Sequence, residues 1–278
     1  MKFTILGSTG FIGRHMVAHL RAQGFEANSP PRDVSDLRGQ KLGHVIYAIG
    51  LTGNFRSQSR ATVDANVNML QKLIDGADFD SWLYLSSTRV YGGLGADARA
   101  AENATLSIKP CSDAIYDLSK LLGESVCLGM DHSKVRVARL SNVYGVGQSR
   151  NTFLGAVMAE LADDGRVRFR EMSSSSKNYI SIEDVIRMLQ NIALAGRERL
   201  YNIASSMNVT HQQLAEGIKK CGYGVEFATE SPQRSFPAID ITRLTEEFGP
   251  VYRSVLDDLP LLIGEGIHFH DDIDLRVQ

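Results

Sequence analysis

Short apolar runs alternate with segments of helical periodicity over the first two-thirds of the chain. Within the runs the apolar residues are nearly continuous, a pattern typical of parallel strands that are buried on both faces. The runs are KFTILG (2–7), HVIYAIG (44–50), WLYLSS (82–87) and VRVARL (135–140). Between them, apolar residues recur every three or four positions and so predict amphipathic helices. The first two such stripes consist of Ile12, Met16, Val17 and Leu20, ending at Gly24, and of Val63, Val67, Leu70 and Ile74.

The succession of strand, helix and strand implies right-handed crossovers and a doubly wound parallel sheet of the Rossmann type. After Gly145 the pattern loosens, although residues 181–194 and 199–205 still indicate a helix and a strand. From Thr210, which forms a predicted capping box with Gln213, the chain builds a smaller unit. We therefore predict an α/β fold with a small C-terminal substrate-binding domain. The dinucleotide-binding domain comprises residues 1–145 plus about 178–204, and the substrate-binding region comprises 146–177 and 205–278.

Composition and charge argue against several classes of protein. A formal net charge of -2 over 278 residues gives no global electrostatic reason to bind nucleic acid or an acidic membrane surface. No stretch is apolar for the roughly 18 consecutive residues that a membrane-spanning helix needs. Cys111, Cys127 and Cys221 are widely separated and have no histidine at ligand spacing, so we expect neither a disulfide framework nor a metal site. These features favour a protein of the reducing cytoplasm.

The segment GSTGFIG, from Gly7 to Gly13, follows a predicted strand and opens a predicted helix. Glycines at such a junction allow a tight turn and a close approach of the backbone to a pyrophosphate, whose charge meets the amide groups of the helix N-terminus. The residues alone leave a second interpretation open, a tight turn that binds no ligand. The spacing Gly-x-x-Gly-x-x-Gly is one residue longer in its first gap than the usual dinucleotide fingerprint.

Four further segments accompany the glycine loop in a characteristic order: LSSTRVYGG (85–93), YDLSK (116–120), RLSNVYG (139–145) and KNYISIEDV (177–185). Together with the loop they resemble the extended branch of the short-chain dehydrogenase/reductase superfamily, which acts largely on nucleotide-activated sugars. The resemblance covers nearly the whole chain. It implies a nicotinamide cofactor, a nucleotide-sugar substrate and a homodimer.

Tyr116 and Lys120 are four residues apart on a predicted helix, so both side chains project from one face. A free tyrosine has a pKa of about 10, and a nearby cation lowers that pKa toward the range of general acid/base catalysis. We expect Lys120 to supply this cation. Taken without the other motifs, the pair would be a half-exposed helical contact with packing value only.

The resemblance assigns further roles by position. Tyr116 exchanges a proton with a sugar hydroxyl or ketone, Lys120 also holds the nicotinamide ribose, and Ser87 hydrogen-bonds the reacting oxygen. The implied cofactor contacts are Gly7, Thr9, Gly10, Phe11, Ile12, Gly13, Arg32, Asp33, Val34, Ala48, Ile49, Gly50, Asn66, Leu85, Lys120 and Leu140. The implied substrate contacts are Ser87, Thr88, Asn142, Thr152, Phe153 and Tyr179, with a turn role for Asn142 and core packing for Phe153 and Tyr179 as alternatives.

The cofactor preference is inferred from the segment after the second strand. Relatives that prefer NAD usually carry an acidic residue there, whereas this chain has Arg32 after two prolines. A guanidinium suits the 2'-phosphate of NADP, and Arg14 lies close enough in sequence to the glycine loop to assist. We therefore predict NADP. NAD remains the alternative if Asp33 takes the acidic role.

The reaction type is narrowed by a departure from the family pattern. Sugar dehydratases of this branch carry Asp-Glu where this chain has Thr88 and Arg89, so dehydration is disfavoured. The remaining hypotheses are reduction of a 4-keto sugar, which the NADP-like segment favours, and epimerisation with retained NAD. A third is a catalytically silent dinucleotide-binding sensor or scaffold. Because Ser87, Tyr116 and Lys120 are all present, we predict an enzyme.

Overall fold

A computed structural model describes residues 1–264 of the chain. The strands are β1 (Lys2–Leu6), β2 (Glu26–Asn28), β3 (His44–Tyr47), β4 (Ser81–Ser87), β5 (Arg99–Ala100), β6 (Val135–Leu140), β7 (Asn142–Tyr144), β8 (Arg166–Phe169), β9 (Ser176–Ser181), β10 (Leu200–Ile203), β11 (Asn208–Thr210), β12 (Gly224–Phe227) and β13 (Ala238–Ile239). The helices are α1 (Phe11–Ala22), α2 (Ser59–Val63), α3 (Met69–Ile74), α4 (Ile115–Gly129), α5 (Phe153–Asp164), α6 (Ile182–Ala195), α7 (His211–Lys220), α8 (Thr242–Phe248) and α9 (Val255–Gly264).

The predicted apolar runs form the inner strands of a parallel six-stranded sheet with the order β10-β6-β4-β3-β1-β2. The predicted α/β fold of the Rossmann type is therefore confirmed. The chain leaves β1 toward β2 on one side and then crosses to β3 on the other. In such sheets a crevice opens outside the carboxyl ends of the two strands at the reversal. Here that crevice lies between the ends of β1 and β3.

Apolar clusters cover both faces of this sheet. One face packs against α1 and α6 through residues such as Met16 and Leu189, and the other packs against α3 and α4 through residues such as Leu70 and Cys127. A separate apolar core joins α5, β8, α7 and α9. Helix α8, although late in the chain, adds Leu244 to the first core. The division into two domains stays a prediction, and its last residues, 265–278, lie outside the described part.

The helix expected around Val63–Ile74 contains a wider turn. Residues Asp64–Asn68 form a π-helical turn between α2 and α3. Such a turn changes the pairing of backbone carbonyls, and two buried tyrosine hydroxyls bind carbonyls here: Tyr47 donates to Ala65 O (2.6 Å) and Tyr84 donates to Asn66 O (3.1 Å). The turn brings the fully buried Asn66 side chain against α4. Sequence periodicity alone did not predict it.

Candidate active site

The glycine loop connects β1 to α1 at the crevice. Gly7 has φ +86°, a left-handed conformation that side-chain-bearing residues rarely adopt. A Cβ on Gly13 would lie 2.2 Å from Gly7 O, so the helix approaches the loop closely only because Gly13 has none. Gly10 is the N-cap residue of α1 and, as a glycine, offers no side chain to bind the first amide groups of the helix. The first amide groups of α1 therefore have no side-chain cap, which is the arrangement that binds phosphate groups.

This close approach gives a testable prediction for Gly13→Ala. The added methyl group would overlap Gly7 O, so we expect the free energy of unfolding to fall by about 1–3 kcal/mol, as for other overpacked sites. Gly10→Ala is the matched control, because a Cβ there would lie at 3.4 Å from the same oxygen and Gly10 has an extended conformation open to alanine. Urea unfolding of both variants measures the difference. Equal losses would contradict the close-packing argument.

The structure brings Ser87, Tyr116 and Lys120 together. Ser87 ends β4, Tyr116 lies in the first turn of α4, and Lys120 lies one turn later. All three are buried. The Lys120 ammonium donates to Leu85 O (2.8 Å) and lies 5.8 Å from the centre of the Tyr116 ring. The Ser87 and Thr52 hydroxyls lie near the Tyr116 phenol.

The electrostatics of this group differ from the expectation that Lys120 lowers the pKa of Tyr116. Burial dominates and raises the pKa of the Tyr116 phenol. Hydrogen bonding to Ser87, the charge of Arg89 and hydrogen bonding to Thr52 offset part of that increase. Burial also lowers the pKa of Lys120 to about 7, partly opposed by Glu124. Lys120 is therefore only partly charged at neutral pH, and Arg89 provides the more permanent cation.

A buried ion pair lies behind the three residues. Arg139 on β6 binds Glu124 on α4 through two contacts, Nη2 to Oε2 at 2.6 Å and Nε to Oε1 at 2.9 Å. The Ser86 hydroxyl donates to Glu124 Oε1 (2.5 Å), and Arg139 Nη1 donates to the Tyr91 hydroxyl (2.7 Å). These contacts join α4 to β4 and β6. They fix the helix that carries Tyr116 and Lys120 relative to the strand that carries Ser87.

A second group of predicted residues surrounds the crevice beside Lys120. Asn66 is fully buried, and its Nδ2 donates to Ser119 Oγ (2.9 Å), but its Oδ1 has no partner within residues 1–264. A Cβ on Gly50 would lie 3.3 Å from both Asn66 Oδ1 and Lys120 Nζ, so Gly50 keeps this space open. A buried polar atom without a partner calls for an explanation, and a bound ligand is one. The site thus fits the predicted dinucleotide at both its glycine cradle and this inner end.

The other predicted cofactor contacts lie in the glycine loop and α1 and at the carboxyl ends of β2, β3, β4 and β6. Thr9 is in the glycine loop, Phe11 and Ile12 open α1, Ala48 and Ile49 follow β3, Leu85 is in β4 and Leu140 ends β6. Arg32 and Asp33 are exposed after β2, whereas Val34 packs partly against an apolar cluster. Arg14 is already engaged, because its Nη2 donates to Gly147 O (2.5 Å). The contribution of Arg14 to binding a 2'-phosphate stays a prediction.

The predicted substrate residues are divided between the crevice and the second core. Thr88 is buried directly after Ser87. Asn142 and Tyr179 are paired across β7 and β9, and Asn142 Nδ2 donates to Asn178 O (2.7 Å). Tyr179 is almost fully buried, and burial raises its pKa well above the usual value.

The remaining two substrate residues have structural contacts of their own. Thr152 caps α5 by accepting a hydrogen bond from Gly155 N (3.2 Å). The Phe153 ring stacks on His211, with 4.8 Å between ring centres. Phe153 and Tyr179 both pack in the second core, and their contact with a substrate stays a prediction.

Sequence reasoning missed four residues around Tyr116. Thr52 and Phe55 come from the loop after β3, and the Phe55 ring lies 5.4 Å from the Tyr116 ring. Arg89 lies over the Tyr116 ring at 5.6 Å and pairs with Asp117 at 2.9 Å. The loop with Thr52 and Phe55 could have been predicted to line the crevice, because it follows the carboxyl end of a parallel strand.

Within residues 1–264, no helix combines the length and the apolar character needed to cross a bilayer. Nor do three His, Cys, Asp or Glu side chains in that part of the chain gather where they could hold a metal ion.

Comparison with known proteins found relatives along most of the chain. It is 27% identical over 246 residues to GDP-6-deoxy-D-mannose reductase from Pseudomonas aeruginosa, which covers 77% of this chain and 78% of that protein. It is 23% identical over 295 residues to dTDP-4-dehydro-6-deoxy-D-allose reductase from a Streptomyces species. The alignment covers 88% of this chain and 90% of that protein. Among solved structures, RMD from Pseudomonas aeruginosa complexed with NADPH superposes on this chain with a TM-score of 0.82 at 20% identity. The superposition covers 95% of this chain and 98% of that structure.

A family model gives the classification. The model described as the NAD dependent epimerase/dehydratase family matches residues 3–204, which is more than half of the chain. The matched range contains the glycine loop and the residues Ser87, Tyr116 and Lys120. The resemblance inferred from the motifs is thereby confirmed: the chain belongs to the NAD dependent epimerase/dehydratase family.

Proposed function

We propose that the protein is an NAD(P)-dependent reductase of a nucleotide-activated 4-keto sugar. The observation that carries this proposal is the convergence of Ser87, Tyr116 and Lys120 beside a glycine-lined crevice. Sequence relatives named as reductases of GDP- and dTDP-linked sugars support the substrate class. Arg89, in the place of an acidic residue, argues against dehydration.

The residues of the crevice suit a nicotinamide dinucleotide. Gly7, Gly10 and Gly13 would hold its pyrophosphate, and Asn66 and Lys120 would lie toward its nicotinamide end. When bound, this cofactor supplies a hydride to the carbonyl carbon of the sugar.

The proton is handled by the chain itself. Because burial raises the pKa of Tyr116, its phenol is protonated at neutral pH and acts as the general acid toward the ketone oxygen. Ser87 Oγ already accepts a hydrogen bond from Arg89 N (3.2 Å), which leaves the Ser87 hydroxyl proton for the same oxygen. The ketone oxygen thus gains two donors as negative charge develops on it.

The assay that tests this function uses NADPH and a panel of GDP-, dTDP- and UDP-linked 4-keto sugars. We expect loss of nicotinamide absorbance in proportion to the sugar that is reduced. Epimerisation of a sugar with no net loss of NADPH, by protein that purifies with bound NAD, would instead support the epimerase alternative. Absence of turnover with every sugar of the panel, by protein that binds NADPH, would support the silent sensor or scaffold.

The cofactor preference gives a separate prediction. We expect the protein to bind NADPH more tightly than NADH, because the Arg32 guanidinium can pair with the 2'-phosphate. Arg32→Ser should weaken NADPH binding by about 10-fold or more, the value of one charged hydrogen bond, without weakening NADH binding. Arg38→Ser is the matched control, since Arg38 is an exposed arginine of the same segment that pairs with Asp36 (3.0 Å). Fluorescence titration measures the affinity of the parent protein and of both variants for each cofactor; tighter binding of NADH by the parent protein would favour NAD and the role of Asp33.

The proposal extends to assembly and compartment. Leu118 and Leu122 are one turn apart on α4 and partly exposed, which supports a homodimer through this helix. Sedimentation equilibrium tests it, and a monomer at all concentrations would refute it.

Cys111, Cys127 and Cys221 are free, which supports a reducing cytoplasm. Cell fractionation tests the location.

A further inference from the structure

The Arg89 side chain lies beside Tyr116 and has no role in the reaction proposed above. It belongs to the short 3-10 helix after β4, directly after Thr88. Its guanidinium carbon lies 5.6 Å from the centre of the Tyr116 ring and 5.2 Å from that of Phe55. Its Nε and Nη2 donate to the two carboxylate oxygens of Asp117, at 2.9 and 3.2 Å. The ion pair thus holds the guanidinium over the aromatic ring, with 43% of the Arg89 side chain still exposed to solvent.

Several charged and polar groups surround Tyr116. From the elements packed against it, these are the Ser87 and Thr52 hydroxyls, the Arg89 guanidinium, the Asp117 carboxylate, the Lys120 ammonium and the Tyr84 phenol. The two cations among them are unequal. Burial lowers the pKa of Lys120 to about 7, whereas an arginine stays charged throughout the working range of an enzyme.

We propose that Arg89 stabilises the negative charge that forms on the Tyr116 oxygen as its proton leaves, and that Asp117 holds Arg89 in place and limits this effect. The inference rests on the proposed function. In each reduction the hydride forms a C–H bond at the carbonyl carbon while the Tyr116 O–H bond breaks and its proton forms the alcohol O–H. Tyr116 is left as a phenolate, which water reprotonates before the next turnover.

Arg89 therefore acts through Tyr116 as a positioning residue and makes no bond to the reacting atoms. The sign of each effect follows from charge. Removing the positive charge of Arg89 destabilises the phenolate, and removing the negative charge of Asp117 stabilises it, as the directions of their effects on the pKa of Tyr116 indicate. A purely structural role for the ion pair would make both substitutions act in the same direction.

The test places a fluorinated tyrosine, whose phenol is far more acidic, at position 116 and follows its titration by fluorine NMR. We expect Arg89→Met to move the titration to higher pH and Asp117→Asn to move it to lower pH. Arg56→Met is the matched control, because Arg56 also lies over the Phe55 ring (4.6 Å) but pairs with Asp113 (2.6 Å). An unchanged titration in Arg89→Met, or a shift of the same sign in both variants, would overturn the proposal. If Arg89→Met does not fold, the comparison of Asp117→Asn with the parent decides the sign.

Kinetics give a second, independent readout. Single-turnover hydride transfer should be slower by about 10-fold in Arg89→Met at neutral pH, with unchanged NADPH affinity, and Arg89→Lys should restore part of the rate. The NMR titration needs no substrate. Failure of the proposed function would therefore appear as absent turnover with opposite titration shifts, whereas failure of this inference would appear as normal turnover with an unchanged titration.

Discussion

Tyr116→Phe should reduce the rate of 4-keto sugar reduction by about 100-fold to 10,000-fold, the usual contribution of a general acid. The substitution removes only the hydroxyl that gives its proton to the substrate oxygen. The ring keeps its packing against Phe55 and its place under Arg89. Affinity for NADPH should change little, since the predicted pyrophosphate contacts lie in the glycine loop.

The control for this prediction is another buried phenol. Tyr201 lies on β10 at the edge of the sheet, and its hydroxyl donates to Glu247 Oε2 (2.7 Å). The same hydroxyl accepts a hydrogen bond from Glu198 N (2.8 Å), so Tyr201→Phe loses two hydrogen bonds. It should lower the free energy of unfolding by about 1–3 kcal/mol and leave the rate unchanged. Stopped-flow measurement of NADPH oxidation compares the two variants. A Tyr116→Phe rate close to that of the parent would remove Tyr116 from the reaction.

The largest expected effect on stability follows from the buried pair of Glu124 and Arg139. Both side chains are about 95% inaccessible, with exposed fractions of 4% and 5%. Arg139→Met leaves the Glu124 carboxylate buried without its partner, so we expect a loss of about 3–5 kcal/mol in the free energy of unfolding. Urea unfolding measures this loss.

Two further variants separate this charge effect from a simple loss of packing. Glu124→Gln combined with Arg139→Met removes both charges of the pair, so part of the stability should return. Arg166→Met removes one partner of an exposed pair with Glu226 and should have a far smaller effect. If the single and double variants are equally destabilised, the unpaired charge is not the cause.

Local patterns predicted the fold because the information for it is local. The nearly continuous apolar runs identified the buried parallel strands, and the spacing of Ile12, Met16 and Leu20 identified the buried face of α1. Motif spacing likewise selected Ser87 and Tyr116, which the structure brings together from β4 and α4. In each case the relevant residues are neighbours along one element or belong to a motif of fixed order.

The electrostatics could not be predicted in the same way. The low pKa of Lys120 is caused by burial beneath β4 and the loop after β3, which depends on contacts between distant segments. The position of Arg89 over the Tyr116 ring depends on its pairing with Asp117, a residue 28 positions away. The π-helical turn that buries Asn66 involves hydroxyls from two different strands. None of these contacts has a periodic signal in the sequence.

Reduction with NADPH that carries deuterium on its transferable position is the most direct test of the central claim. The protein is incubated with this cofactor and a nucleotide-linked 4-keto sugar, and the sugar product is examined by mass spectrometry and NMR. We predict one deuterium on C4 of the product for each NADPH consumed, and about 1% or less of that amount of deuterated product from Tyr116→Phe over the same time. A product without deuterium, or no product from any 4-keto sugar despite bound NADPH, would contradict the proposed hydride transfer.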